Sequence, residues 1–144
     1  MSSYYDNELF EHLTTIGIAK FTVITTPDNY IECINKKFPF KDGKVDFVGL
    51  KNKRYVESDQ NSISMDVVNF VSTLIQDNVC TKNERIVYVG DSLTDNEYEF
   101  YLYDLLKILP YLVNEIPQHH YFLFNDSMKL INVSFENEIQ FGIL

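Results

Sequence analysis

Tryptophan is absent from this sequence, cysteine occurs twice, proline four times and glycine five times in 144 residues. Two cysteines, Cys33 and Cys80, cannot build the dense disulfide framework of a small secreted domain. Their wide separation also lacks the paired spacing of a structural zinc site. Reduced thiols in a cytoplasmic protein are therefore expected. Cations are scarce as well: 12 Lys and Arg stand against 21 Asp and Glu, a net charge of -9 and a sequence pI near 4.7. Such a balance repels nucleic acid phosphates and anionic lipid, and it attracts a basic protein. No charge-free run reaches the roughly 18 residues that a membrane span needs. The start, Met1-Ser2-Ser3-Tyr4-Tyr5-Asp6, has no basic region leading into an apolar core, so no secretory signal is expected.

What is present is aromatic: 11 Phe and 10 Tyr in a chain 45% hydrophobic and 23% charged. That composition suits a globular protein with a real core, organised as one domain over residues 1–144. No internal repeat, low-complexity segment or linker interrupts it.

Local patterns then give the elements in order. Leu9, Phe10, Leu13 and Ile16 form one stripe of a first helix over residues 6–16, with Gly17 as its stop. Lys20 to Thr25 is β-branched and aromatic, hence a strand. Thr26-Pro27-Asp28 starts a second helix with Tyr30, Ile31 and Ile34 on its buried side. Residues 38–61 are the least regular: a turn at Lys41-Asp42-Gly43-Lys44, a short element over Val45 to Leu50 and a short strand at Arg54 to Glu57. They also gather the basic residues Lys41, Lys44, Lys51, Lys53 and Arg54. Ser64 caps a third helix whose apolar face carries Val67, Val68, Val71, Leu74 and Ile75.

Ile86 to Val89 reads as a buried strand. The capping box Thr94-Asp95-Asn96-Glu97 then predicts the longest helix of the chain, broken or kinked at Pro110. Three strands follow, His120 to Phe124, Leu130 to Phe135 and Ile139 to Ile143, separated by turn residues at Asn125-Asp126-Ser127 and Asn137-Glu138. Links this short require antiparallel neighbours. The expected class is α+β: a mixed or mainly antiparallel sheet, about four helices and a C-terminal three-stranded meander.

Gly90-Asp91-Ser92-Leu93 after a strand resembles the nucleophile block of the GDSL esterases and lipases, which would make Ser92 the nucleophile of a small ester hydrolase. The Asp-x-x-His that supplies the base in that family is missing, since Ile116 and Pro117 stand three residues before His119 and His120. A serine without a base is a poor nucleophile. Gly90-Asp91-Ser92 with Asp95 also looks like the metal-binding loop of haloacid-dehalogenase-type phosphatases, but no Asp-x-Asp occurs in the chain. His119 and His120, adjacent in a strand, point to opposite faces and cannot readily share one ion. No catalytic residue, metal site or cofactor is expected.

Along the expected central helix, Tyr98, Tyr101, Leu102, Leu105, Leu109 and Leu112 form the sheet-facing stripe. Phe100 and Tyr103 fall on the other side among acidic residues. Glu97, Glu99, Phe100, Tyr103 and Asp104 are thus the candidate partner-binding residues, with aromatics for contact area and carboxylates for steering.

From Ile86 onward the chain resembles small bacterial immunity proteins of polymorphic toxin and contact-dependent growth inhibition systems. The likeness rests on the strand ending Tyr88-Val89-Gly90-Asp91, the acidic aromatic segment reaching Leu109-Pro110, Ile116-Pro117-Gln118-His119-His120-Tyr121-Phe122, and the last hairpin, Val133 to Gly142. It implies a cytoplasmic non-enzyme that binds a cognate, basic toxin domain and occludes its active site. A structural or accessory protein with no such partner is the other non-enzymatic alternative.

Overall fold

A strand covered on both faces shows no polar alternation, and His120 to Phe124 is such a segment, with every residue buried. In the computed structural model, which describes residues 3–18, 20–25 and 34–144, it is the middle strand of a seven-stranded sheet. The chain begins with helix α1 (Tyr4–Thr15), then strands β1 (Phe21–Ile24), β2 (Phe40–Lys41), β3 (Lys44–Val45) and β4 (Lys51–Glu57). Helix α2 (Ile63–Gln76), strands β5 (Arg85–Gly90) and β6 (Glu97–Tyr101) and helix α3 (Leu102–Glu115) come next. Strands β7 (His120–Phe124), β8 (Lys129–Val133) and β9 (Glu138–Ile143) complete the order, and residues 34–37 are also helical. The sheet runs β1-β6-β5-β7-β8-β9-β4 with every neighbouring pair antiparallel, and β2 and β3 form a separate hairpin. The class is α+β, and β7 to β9 are the expected meander.

The period of two along each strand sends alternate side chains to two cores. Ile86, Tyr88, Tyr98, Phe100, Phe122, Phe124, Ile131 and Phe141 pack with Leu9 and Leu13 of α1, Val67, Val71 and Leu74 of α2, and Leu102, Leu105, Leu109 and Leu112 of α3. On the opposite face Val87, Val89, Tyr121, Leu123 and Leu130 lie under Ile34, Phe38, Val45, Phe47 and Leu50. The irregular segment after residue 34 is therefore a second layer over the sheet. Cys80 is a free, buried thiol, pushed up to about 11 chiefly by burial. The expected helix start at Thr26 to Asp28, with Tyr30 and Ile31, lies outside the described residues, as does Cys33.

Three local expectations differ from what is observed. Ser64 lies inside α2, whose cap position is Ser62; the Asp59 carboxylate accepts the N–H groups of Asn61 and Ser62 just before it. Pro110 stands within α3 instead of ending it. The leucines around it are buried, and that burial offsets the hydrogen bond a mid-helix proline forfeits.

The third difference is larger: residues 97–101 are strand β6, and the helix begins only at Leu102. Residues 97–101 pair with β5 on one side and β1 on the other, which takes the backbone groups a helix would use, and the donors before them are anchored elsewhere. Asp91 N–H reaches the His119 carbonyl at 3.3 Å. The N–H groups of Ser92, Leu93 and Thr94 reach Gln118 Oε1 at 3.2, 2.7 and 3.3 Å. Those of Asp95 and Asn96 reach the two oxygens of Asp6 at 2.7 and 3.1 Å. Every donor from 91 to 96 is committed to a residue distant in sequence, which holds the segment as a loop between the two strands.

Asp6 also caps its own helix, in a capping box with Ser3, and accepts the Tyr98 hydroxyl at 2.6 Å. Burial alone would raise its pKa. The Tyr98 hydroxyl and the N–H groups of Ser3 and Asp95 outweigh burial and hold the carboxyl below its ordinary 3.8. Asp6→Asn presents an amide NH2 to this ring of donors and should lower the unfolding free energy by about 2–3 kcal/mol at neutral pH. A depressed carboxyl contributes stability that is complete above the unfolded-state value and lost as pH falls through the folded one. Urea denaturation curves of wild type and variant should therefore converge in acid.

Candidate functional site

The esterase-like string is tied down by Gln118. A Cβ added at Gly90 would overlap the Gln118 side-chain amide and the Thr94 hydroxyl, so only glycine lets the glutamine lie across the loop. Gln118 Nε2 donates to the Tyr88 hydroxyl and to Thr94 Oγ1, each at 2.9 Å. Tyr88 then has one proton to give, and His120 Nδ1 at 2.7 Å takes it. The neutral imidazole accordingly carries its own proton on Nε2. Burial, with His119 beside it, lowers His120 to about 3, so it is uncharged at neutral pH. This network is fully buried and fully satisfied, as stable polar networks must be.

Ser92 is exposed, and its hydroxyl donates to the neighbouring Asp91 at 3.2 Å. No imidazole is its partner among the described residues, and His119 Nδ1 instead accepts the Phe135 N–H at 3.1 Å. Nothing in this geometry activates the oxygen. No three His, Cys, Asp or Glu side chains converge as a metal site would need, again among the described residues.

The five candidate partner-binding residues do not share a face. A strand alternates its side chains where a helix would group them. Phe100 is buried in the helix-side core, and Glu97 is buried opposite Ile24 of β1. Asp104 is buried, with Lys107 at 3.6 Å. Glu99 reaches the surface but forms an ion pair with Arg85. Arg85 lies over the Tyr101 ring, which stacks on Tyr103. This patch is charge-balanced rather than acidic.

An acidic aromatic surface does exist, one helix away. Tyr4, Glu8 and Glu11 stand at i, i+4 and i+7 of α1 and share a face. Tyr111 and Glu115, from the end of α3, adjoin it. Tyr4 is 69% exposed. Burial raises the Tyr111 hydroxyl, and so do the fields of Glu8, Glu115 and Glu11. No lysine or arginine pairs with these three glutamates among the described residues. His12 stacks on Tyr111 with centroids 4.0 Å apart. Burial lowers its pKa despite Glu115, so it is neutral at pH 7 and cancels none of the charge. Beside this face a groove of about 430 Å³ separates α1 from β1, lined by Glu8, Phe10, Glu11 and Val23 among others. The sequence carries the spacing of Tyr4, Glu8 and Glu11, but that spacing alone reads as an ordinary solvated helix face.

Gln118→Leu and Gly90→Ala should each cost about 1–3 kcal/mol in chemical denaturation, through orphaned donors and overpacking respectively. Ser92→Ala should stay within about 0.5 kcal/mol of wild type, as exposed substitutions do. Comparison of the chain with family models, with curated proteins and with solved structures finds no match in any of the three.

Proposed function

We propose that this protein is a non-enzymatic binding module that neutralises a basic partner, as immunity proteins of polymorphic toxin and contact-dependent growth inhibition systems do. One observation carries the reading: Glu8, Glu11 and Glu115 gather around Tyr4 and Tyr111 with no lysine or arginine paired to them among the described residues. The three carboxylates make no pairing that would stabilise the fold among the described residues. Like charges repel, and Glu115 ends α3, where the helix dipole disfavours an anion. A partner's cations would give the arrangement a use. Carboxylates steer a basic surface into contact and exclude acidic competitors, while tyrosines supply contact area with little entropy to lose. In this reading the protein acts in the cytoplasm, needs no cofactor and covers the active site of a basic toxin domain such as a nuclease.

Co-expression with the protein encoded immediately upstream, followed by binding kinetics at low and high salt, tests this. A tight complex that weakens as salt rises is expected. The triple reversal E8K/E11K/E115K should slow association by roughly tenfold or more at low salt and flatten the salt dependence. Its thermal stability should hold or rise, because the repulsion is relieved. No complex, or one indifferent to these reversals, removes the acidic face from the function.

A further inference from the structure

Strand β4 is bonded to β9 on one side and to no strand on the other among the described residues. Six of its seven residues are exposed, Tyr55 and Val56 among them. An edge of this kind is a ready template for another strand.

Its inner partner fixes which backbone groups look outward. Antiparallel neighbours alternate between pairs that exchange hydrogen bonds and pairs that do not. Ser58 N–H donates to the Asn137 carbonyl at 2.9 Å. In the same register Val56 lies opposite Ile139 and Arg54 opposite Phe141, so these are the bonded positions. The N–H and C=O of Tyr55 and Glu57 therefore face away from the sheet.

Charge selects the occupant. Reading outward from Tyr55 along β4, Lys53 lies on one side and Glu57 at the same distance on the other. This order is antisymmetric about Tyr55, which is what an isologous two-fold contact requires. Two antiparallel copies crossing at Tyr55 place Lys53 of each copy opposite Glu57 of the other. The outward N–H and C=O of Tyr55 then meet their own equivalents. Shifting the axis to Arg54 would set arginine against arginine, which is destabilising. Pairing would also cover the groove of about 540 Å³ between β4 and α2, to which Val56 and Phe70 contribute apolar walls. The irregularity between Lys51 and Arg54, where Asn52 has φ of 53°, limits how far the ladder can run.

We propose that the protein self-associates through β4 into a two-fold dimer in which the two sheets join edge to edge. The inference is independent of the binding role above, because the acidic face of α1 lies toward the opposite edge of the sheet and stays open.

Sedimentation equilibrium of the full chain at micromolar concentration tests it. A species of twice the 16.9 kDa chain mass is expected. Lys53→Glu and Glu57→Lys should each weaken the dimer by about tenfold, since either change turns two cross-strand attractions into repulsions. The double variant K53E/E57K restores opposite charges and should restore the dimer, with circular dichroism melts verifying that all three variants are folded. A monomeric wild type, single variants that still dimerise as well, or a double variant that fails to recover would each overturn the proposal.

Discussion

Two side chains govern the middle of this protein by satisfying backbone donors that have no secondary structure to join. A backbone N–H cut off from water without a partner costs as much as a lost hydrogen bond, and residues 91–96, half-buried as a segment, present six donors in a row. The Gln118 carbonyl and the Asp6 carboxylate accept five of them. Because the donors are occupied, the chain leaves β5 as an open loop and returns as β6 in antiparallel register, with Tyr88 opposite Tyr98. That hairpin then sets the start of α3 and carries β1 outside it. The esterase-like string, the buried histidine and the capping of α1 are three sides of this one arrangement.

The sheet it supports is electrically lopsided. Beside β1 stand the glutamates of α1 and the end of α3. At the far edge β4 carries Lys51, Lys53 and Arg54, the last bridged to Asp77 at 2.7 Å. Lys44 of the covering hairpin meets Glu136 at 3.3 Å. Exposed pairs of this kind contribute little to stability. Two cores of aliphatic and aromatic side chains hold the fold instead, and the charges are left to decide what approaches each end.

How far the sequence could be read follows from the range of the forces involved. The first helix, the strand at residues 21–24 and the meander β7 to β9 are set by periodicity and turn residues close in sequence, and they stand where the pattern puts them. The four leucines of α3 keep their expected face for the same reason. Thr94 to Glu97 carries a complete local signal for a helix start, and it fails because residues 97–101 pair with β5 and β1, while Gln118 and Asp6, the latter 89 residues from Asp95, hold the donors before them. Once that stretch is a strand, the assignment of Glu97, Phe100 and Asp104 to an exposed face fails with it. The surface that replaces it joins α1 to the end of α3. Each half looks solvated in isolation, and the packing of α1 on α3, with His12 stacked on Tyr111, brings them together.

The order of the strands has a consequence for synthesis. During synthesis α1 precedes the strands, with Asp6 already in its capping box, yet the Asp95 and Asn96 N–H groups and the Tyr98 hydroxyl that this carboxylate also serves arrive only with residues 95 to 98. Strand β4 waits longer still, for β9, which occupies residues 138–143. No early portion can close a core around itself, and long-range strand pairing is slow. Until β9 appears, the outer edge of β8 stays open and β4 has no partner. A pause in synthesis before residue 138 would therefore leave the edge of β8 unpaired and open to another chain.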